Sequence, residues 1–256
     1  MSALRKVHGF NFPKRWPTGL EIAAHQDRMI RVAARTPTPT RLGTPTIKDQ
    51  GNSAECFGFA AVQAIHIELQ AQGKPSTLLS PVLPYWGARR EETDADTDLT
   101  DSGSDPDGMT KAIADIGACP WDEDPFDEAK LNDRPNDTAF LAAQQHRCTI
   151  LPILATGNAL YDAIQHVICI ERHPVLIALQ VVPAFDNPGT DGVIDDPTGK
   201  SRGLHAQCLF GVDQRGFVDD ANSWGLGQWT PNGCASLTPR FIAGAVVWAG
   251  SLQVNP

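Results

Sequence analysis

Residues 49–61 read DQGNSAECFGFAA, and the texture of the chain changes inside that short run. Gly51, Asn52 and Ser53 are turn formers, whereas Cys56, Phe57, Phe59, Ala60, Ala61, Ala64, Ile65 and Leu69 predict a long apolar helix ending near Gly73. The boundary puts Cys56 in the first turn. A thiol is a weak nucleophile at its ordinary pKa of about 8.5, and a helix N-terminus stabilises the thiolate through its partial positive charge and orphan N–H groups. Cys56 is therefore a candidate nucleophile, although a cysteine in an Ala- and Phe-rich helix is, on its own, more simply a buried thiol.

Outward from this helix the chain divides. Residues 1–46 are irregular, with a Pro-rich end (TPTPTRLGTPT) and one predicted short helix around Leu20–Arg35. Beyond the Cys56 helix come an apolar segment, LLSPVLPYW, and a run from Glu91 to Asp107 with eight acidic residues and no basic one, read as a solvated loop. Gly108 to Ile116 is helical in pattern. From residue 148, CTILPIL, HPVLIALQVV, AQCLFGV, GFVDD and AGAVVWAG are short β-type runs separated by Gly, Pro, Asn and Asp, interrupted by one helix at about Ala159–Glu171. The reading is α+β: a basic strap or short cover over 1–46, a helical lobe over 47–147 and a β-rich lobe over 148–256.

Composition narrows the function. With 41% hydrophobic and 20% charged residues in 256 positions, disorder, coiled coil and collagen-like structure are excluded. No run approaches the roughly 20 apolar residues of a membrane span, and MSALRKVHGFNFPKRW lacks the apolar core of a signal peptide. The expectation is a cytoplasmic protein, or one exported without a cleaved signal. A net charge of -9 argues against a nucleic-acid partner. That charge is uneven: residues 1–50 hold nine Lys or Arg against three Asp or Glu, leaving 12 against 27 elsewhere, so a basic segment lies beside an acidic body.

The six cysteines, at 56, 119, 148, 169, 208 and 234, form no Cys-x-x-Cys and exclude a zinc ribbon or thioredoxin-type site. Six free thiols are expected, one of them reactive. Asp94, Asp96 and Asp98 resemble the start of a calcium loop, but Leu99 stands where an EF-hand needs glycine and no Glu closes the ring. No metal or cofactor is called for.

A thiolate needs an imidazole to form an ion pair and protonate the leaving group, and a side-chain carbonyl to orient that ring. GLHAQCLFGV puts His205 at the start of a strand and GFVDDANSWG puts Asn222 at the end of the next, so one hairpin crossing can join them. His66, ten residues after Cys56 on the same helix, is too far along it to be the base. His8, His25, His146, His166 and His173 have no matching context, and Trp86, Trp121, Trp229 and Trp248 are read as core or inter-lobe residues.

DQGNSAECFGFAA resembles the active-site segment of papain-family (C1) cysteine peptidases, GLHA resembles their base segment, and NSWG is their Asn-Ser-Trp-Gly motif. LSPVLPYWGARR and DSGSDPDGMTKAIADIGACPWDEDPF are similar to a bacterial branch of that family with no long pro-domain, so the likeness runs from about Thr44 to the C-terminus. It implies a two-lobed papain-like fold with the active site in the cleft between a helical and a β-barrel-like lobe. It implies Cys56 as nucleophile, His205 as base and acid, Asn222 as orienter, and Gln50 as side-chain donor of the oxyanion hole beside the Cys56 N–H. Ala54, Glu55 and Trp224 fall at substrate-binding positions, Trp224 also shielding the His205–Asn222 bond. The implied activity is hydrolysis of a polypeptide through an acyl-enzyme thioester. The same residues serve a transamidase, deamidase or ligase, and a degenerate fold kept for binding is a third reading. Several positions depart from the family. Ser53-Ala54-Glu55 replaces Cys-Gly-Ser, which removes the usual nearby disulfide, Phe57 replaces Trp, and Asp219 and Asp220 stand where apolar or basic residues are common.

Overall fold

The computed structural model describes residues 9–12, 38–93 and 99–254. The helix expected at Leu20–Arg35, the acidic triplet Asp94, Asp96 and Asp98, and His8 and His25 lie outside the described residues.

The first half is built on α1 (Cys56–Ala71), whose twelve buried residues occupy nearly its whole circumference, as a helix enclosed by protein requires. Its end is set by Gly73, at φ +65. The segment LLSPVLPYW runs into α2 (Val82–Thr93), and α3 (Pro106–Asp115) follows. The start of α3 is fixed by chemistry legible in the chain: Asp105 caps it by accepting from Gly108 N–H at 2.7 Å, and Pro106 occupies the first turn. The acidic run is thus not one solvated loop. Its ends belong to α2 and α3, and Ser104 and Asp105 are buried. A further helix, α4 (Asp137–Ala143), is capped by Asn136.

The remaining elements are β1 (Thr40–Arg41), β2 (Cys148–Pro152), α5 (Gly157–His166), β3 (Val175–Gln180), α6 (Pro183–Asp186), β4 (Val193–Ile194), β5 (Leu204–Val212), β6 (Val218–Ala221), β7 (Cys234–Leu237), α7 (Pro239–Ala245) and β8 (Val246–Val254). A π turn at Val167–Glu171 extends α5, and Arg172, at φ 69, ends it. The strands form one eight-stranded sheet in the order β2-β8-β3-β5-β6-β7-β4, with β1 on β5. Every pair is antiparallel except β4 with β7.

The sheet is buried on both faces because its strands are apolar on both. In β3, Val175, Ile177 and Leu179 enter one core with α5, α6 and α7, while Leu176 and Ala178 enter a second core with α1 and α3. In β5 the small residues Ala206 and Cys208 face α1. Each large apolar side chain buried this way stabilises the fold by about 1.5–3 kcal/mol. Helix α1 therefore joins the helical lobe to the sheet lobe, and its N-terminus opens onto the start of β5. No helix among the described residues is long and apolar enough to cross a membrane.

Candidate active site

Cys56 begins α1 and is 1% exposed. Its sulfur accepts from Ala206 N–H at 3.5 Å, so β5 is held against the thiol by backbone. No side chain caps α1 and no acidic residue lies in its first turn, which leaves the N-terminal partial charge available to the sulfur. Burial nevertheless pushes the thiol up to about 12, against the backbone N–H groups of Ala206, Phe57 and Cys56, which pull it down.

His205 is fully buried, and its Nε2 lies 2.9 Å from Asn222 Oδ1. Asn222 Oδ1 also accepts from Ser223 N–H at 2.7 Å. An amide oxygen only accepts, so Nε2 carries the ring proton and Nδ1 keeps its lone pair. Nδ1 has no hydrogen-bond partner among the described residues. The Trp224 indole stacks on the ring at 4.8 Å between centroids, and Phe185 meets it edge-on at 6.2 Å. Burial lowers the imidazole to about 4, with the Asn222 bond opposing and the Arg202 charge assisting. Burial thus favours the neutral form of both the thiol and the imidazole.

Gln50 is buried beside them. Its Oε1 accepts from Ser223 Oγ at 2.6 Å and its Nε2 donates to Ser53 O at 2.9 Å. The amide is thus fixed to the residue that follows Asn222, and one Nε2 hydrogen is already committed.

The three positions expected to touch substrate lie inside. Glu55 is fully buried, with both oxygens unpartnered among the described residues, and burial holds its carboxyl well above the usual range while Arg89 opposes. The residue before the nucleophile points beneath α1, where Gly58 approaches its Cγ, instead of into the cleft. Ala54 is 1% exposed; its N–H donates to both oxygens of Asp101, at 2.9 and 3.0 Å, and Tyr85 Oη donates to Asp101 Oδ1 at 2.7 Å. Trp224 gives its ring to His205. Asp101 was hidden in a run that reads as solvent-facing, and only the folded loop shows it fixing the backbone beside the nucleophile.

Sequence reasoning also missed Gly9. A Cβ there would stand 2.3 Å from Ala54 O and 2.7 Å from the Cys56 sulfur, so the backbone of residue 9 passes directly over the thiol. Gly9 O accepts from Ser104 N–H and Asn11 N–H donates to Ser104 O, each at 2.9 Å, while Phe10 packs against Phe57 and Trp248. All six cysteines are free. Among the described residues no cluster of His, Cys, Asp and Glu could hold a metal ion.

A helical lobe and a mixed-sheet lobe joined by one buried helix, with cysteine on the helix, histidine on β5 and asparagine just past the end of the neighbouring β6, define the papain-like fold. Solved structures share it. A cysteine protease from Xylella fastidiosa, xylellain, superimposes with a TM-score of 0.76 at 18% identity over 100% of both chains. The Carica candamarcensis cysteine protease CMS1MS2 gives 0.60 at 21% identity, over 86% of this chain and 100% of its own. A digestive procathepsin L2 of Tenebrio molitor gives 0.65 at 16% identity, over 97% and 78%. No protein-family model and no curated protein sequence matches the chain.

Proposed function

We propose that this chain is a cysteine peptidase of the bacterial papain-like branch, cleaving polypeptides through an acyl-enzyme at Cys56. The observation that carries the reading is the 3.5 Å contact from Ala206 N–H to the Cys56 sulfur, because it seats the strand of His205, and so the His205–Asn222 pair, at the start of α1. The likeness to the Xylella protease over the whole of both chains supports the papain-like fold on which the reading rests.

The lone pair on His205 Nδ1 takes the thiol proton, and the thiolate adds to the substrate carbonyl. The Cys56 N–H and the second Gln50 Nε2 hydrogen stabilise the oxyanion, each donor contributing about 3 kcal/mol in the tetrahedral state. The imidazolium then protonates the departing amine, and water activated by the neutral ring releases the acid. Asn222 keeps the ring in the Nε2–H form throughout.

Incubating a peptide library with wild type and with Cys56→Ala, read by mass spectrometry, tests this. Wild type cleaves and Cys56→Ala does not, and E-64, the inhibitor bound in the Carica protease, modifies Cys56 alone. Equal labelling of all six thiols, or cleavage that survives Cys56→Ala, would overturn it. Adding a competing amine separates hydrolysis from transfer by product mass.

We further read residues 1–46 as a cover, on the ground that Gly9 occupies the space above the thiol. Deleting residues 1–40 raises activity if they cover the cleft and causes aggregation if they are a belt.

A further inference from the structure

Asp220 is fully buried in β6, where an apolar side chain would be expected, since aspartate is almost never enclosed unless paired. Its neighbours show what it holds. Residues two apart on a strand share a face, so His205 and Gln207 look out from one side of β5, and Asp220 and Asn222 from one side of the β6 segment. The register Cys208 with Ala221 brings Gln207 opposite Asn222. Gln207 is 1% exposed. Burial holds the Asp220 carboxyl well above the usual range, and the Gln207 amide nitrogen is assigned toward it, which leaves the amide oxygen for Asn222. In that orientation the nitrogen reaches Asp220 Oδ1 at 2.8 Å, and the oxygen lies 3.2 Å from Asn222 Nδ2, from which it accepts, and 3.0 Å from Asn222 Oδ1. Ser223 N–H meanwhile holds Asn222 Oδ1.

We infer that Gln207 and Asp220 are positioning residues that extend the His205–Asn222 pair into a buried chain of four side chains, Asp220 setting the Gln207 amide, which fixes Asn222. The inference rests on the reading of Asn222 as the group that orients His205. Turning over an amide needs all its bonds to break. With Nδ2 anchored on Gln207 and Oδ1 on Ser223 N–H, Asn222 cannot present its nitrogen to His205 Nε2, the arrangement that would put the ring proton on Nδ1 and remove the lone pair that the proposed reaction uses. Asp220 prevents the matching turn of Gln207. The chain is closed at each link by a residue with one remaining use, which is why a buried carboxyl is retained in a strand.

Two readouts on the full-length protein test this: the ring nitrogen NMR shifts of His205, which report the tautomer, and the rate at which iodoacetamide alkylates Cys56, read by mass spectrometry. In Gln207→Met and Asp220→Leu the Nε2–H form loses population, and alkylation slows by about tenfold, the scale of a small misplacement of a catalytic group. Asp220→Asn, which still accepts from the Gln207 amide, keeps wild-type shifts and a rate within about twofold. Wild-type behaviour in both Gln207→Met and Asp220→Leu overturns the inference, as does equal loss in Asp220→Asn and Asp220→Leu. If Gln207→Met does not fold, the two Asp220 variants decide by themselves. Slow alkylation in Asn222→Ala beside a wild-type rate in Gln207→Met removes Gln207 while leaving the proposed function standing. If Cys56 is no more reactive than the other five thiols, the peptidase reading fails, and the ring shifts still judge the four-residue chain.

Discussion

Glu55, next to the nucleophile, shows how much a single position can change once it is placed. On the chain it is an acidic residue beside the nucleophile; in the fold it is enclosed, and burial holds its carboxyl well above the usual range. Its folded pKa lies above the ordinary 4.5, so its contribution to stability is fully present below pH 4.5 and is lost as pH rises toward the folded value. Replacing it with the similarly sized, apolar methionine removes an unpartnered buried polar group, a gain of about 1–3 kcal/mol at pH 4 that grows toward pH 8. Urea denaturation of wild type and Glu55→Met at pH 4, 6 and 8 measures it, and a gain that shrinks with rising pH would contradict the raised pKa. Cys56, His205, Asn222 and Gln50 were legible because each stands in a short motif whose spacing survives without knowledge of the fold. Asp101, Gln207 and Gly9 were not, because their roles arise from which strand or loop lies opposite, and nothing local in the sequence encodes that.

At the scale of elements, long apolar runs were readable and short ones were not. Helix α1 and strands β3, β5 and β8 stand out as continuous apolar runs, whereas β4 and β7 have two and four residues and owe their pairing to the sheet already formed around them. The approach of α2 and α3 is set by small residues whose purpose appears only in three dimensions. A Cβ at Gly108 would lie 2.7 Å from Ala88 O, a backbone atom that can yield only if one helix moves. Gly108→Ala is thus expected to destabilise the fold by about 1–3 kcal/mol, even though alanine is the better helix former. A chain of this size loses about 2–4 °C in Tm per kcal/mol, so thermal unfolding resolves the difference. An unchanged or raised Tm would show that α2 and α3 tolerate more separation than their packing indicates.

For the whole molecule, the segment Gly9 to Asn11 crosses the thiol, with Phe10 on a parallel bridge to Ser104. Closure and chemistry are then opposed, because the backbone of residue 9, lying over the Cys56 sulfur, adds to the burial that pushes the thiol up. A methyl group at Gly9 collides with Ala54 O, which as backbone beside the Asp101 tether has little room to retreat, so the segment must lift. Overpacking of that kind costs about 1–3 kcal/mol, which on a closed–open equilibrium is roughly a five- to 150-fold increase in open molecules. Gly9→Ala should therefore speed iodoacetamide labelling of Cys56 at pH 7 by that factor. The two proteins share the same thiolate chemistry, so the ratio of their labelling rates isolates the opening of the segment over the thiol. A belt that only ties the lobes together predicts something else: a lower Tm for Gly9→Ala, with a labelling ratio near one.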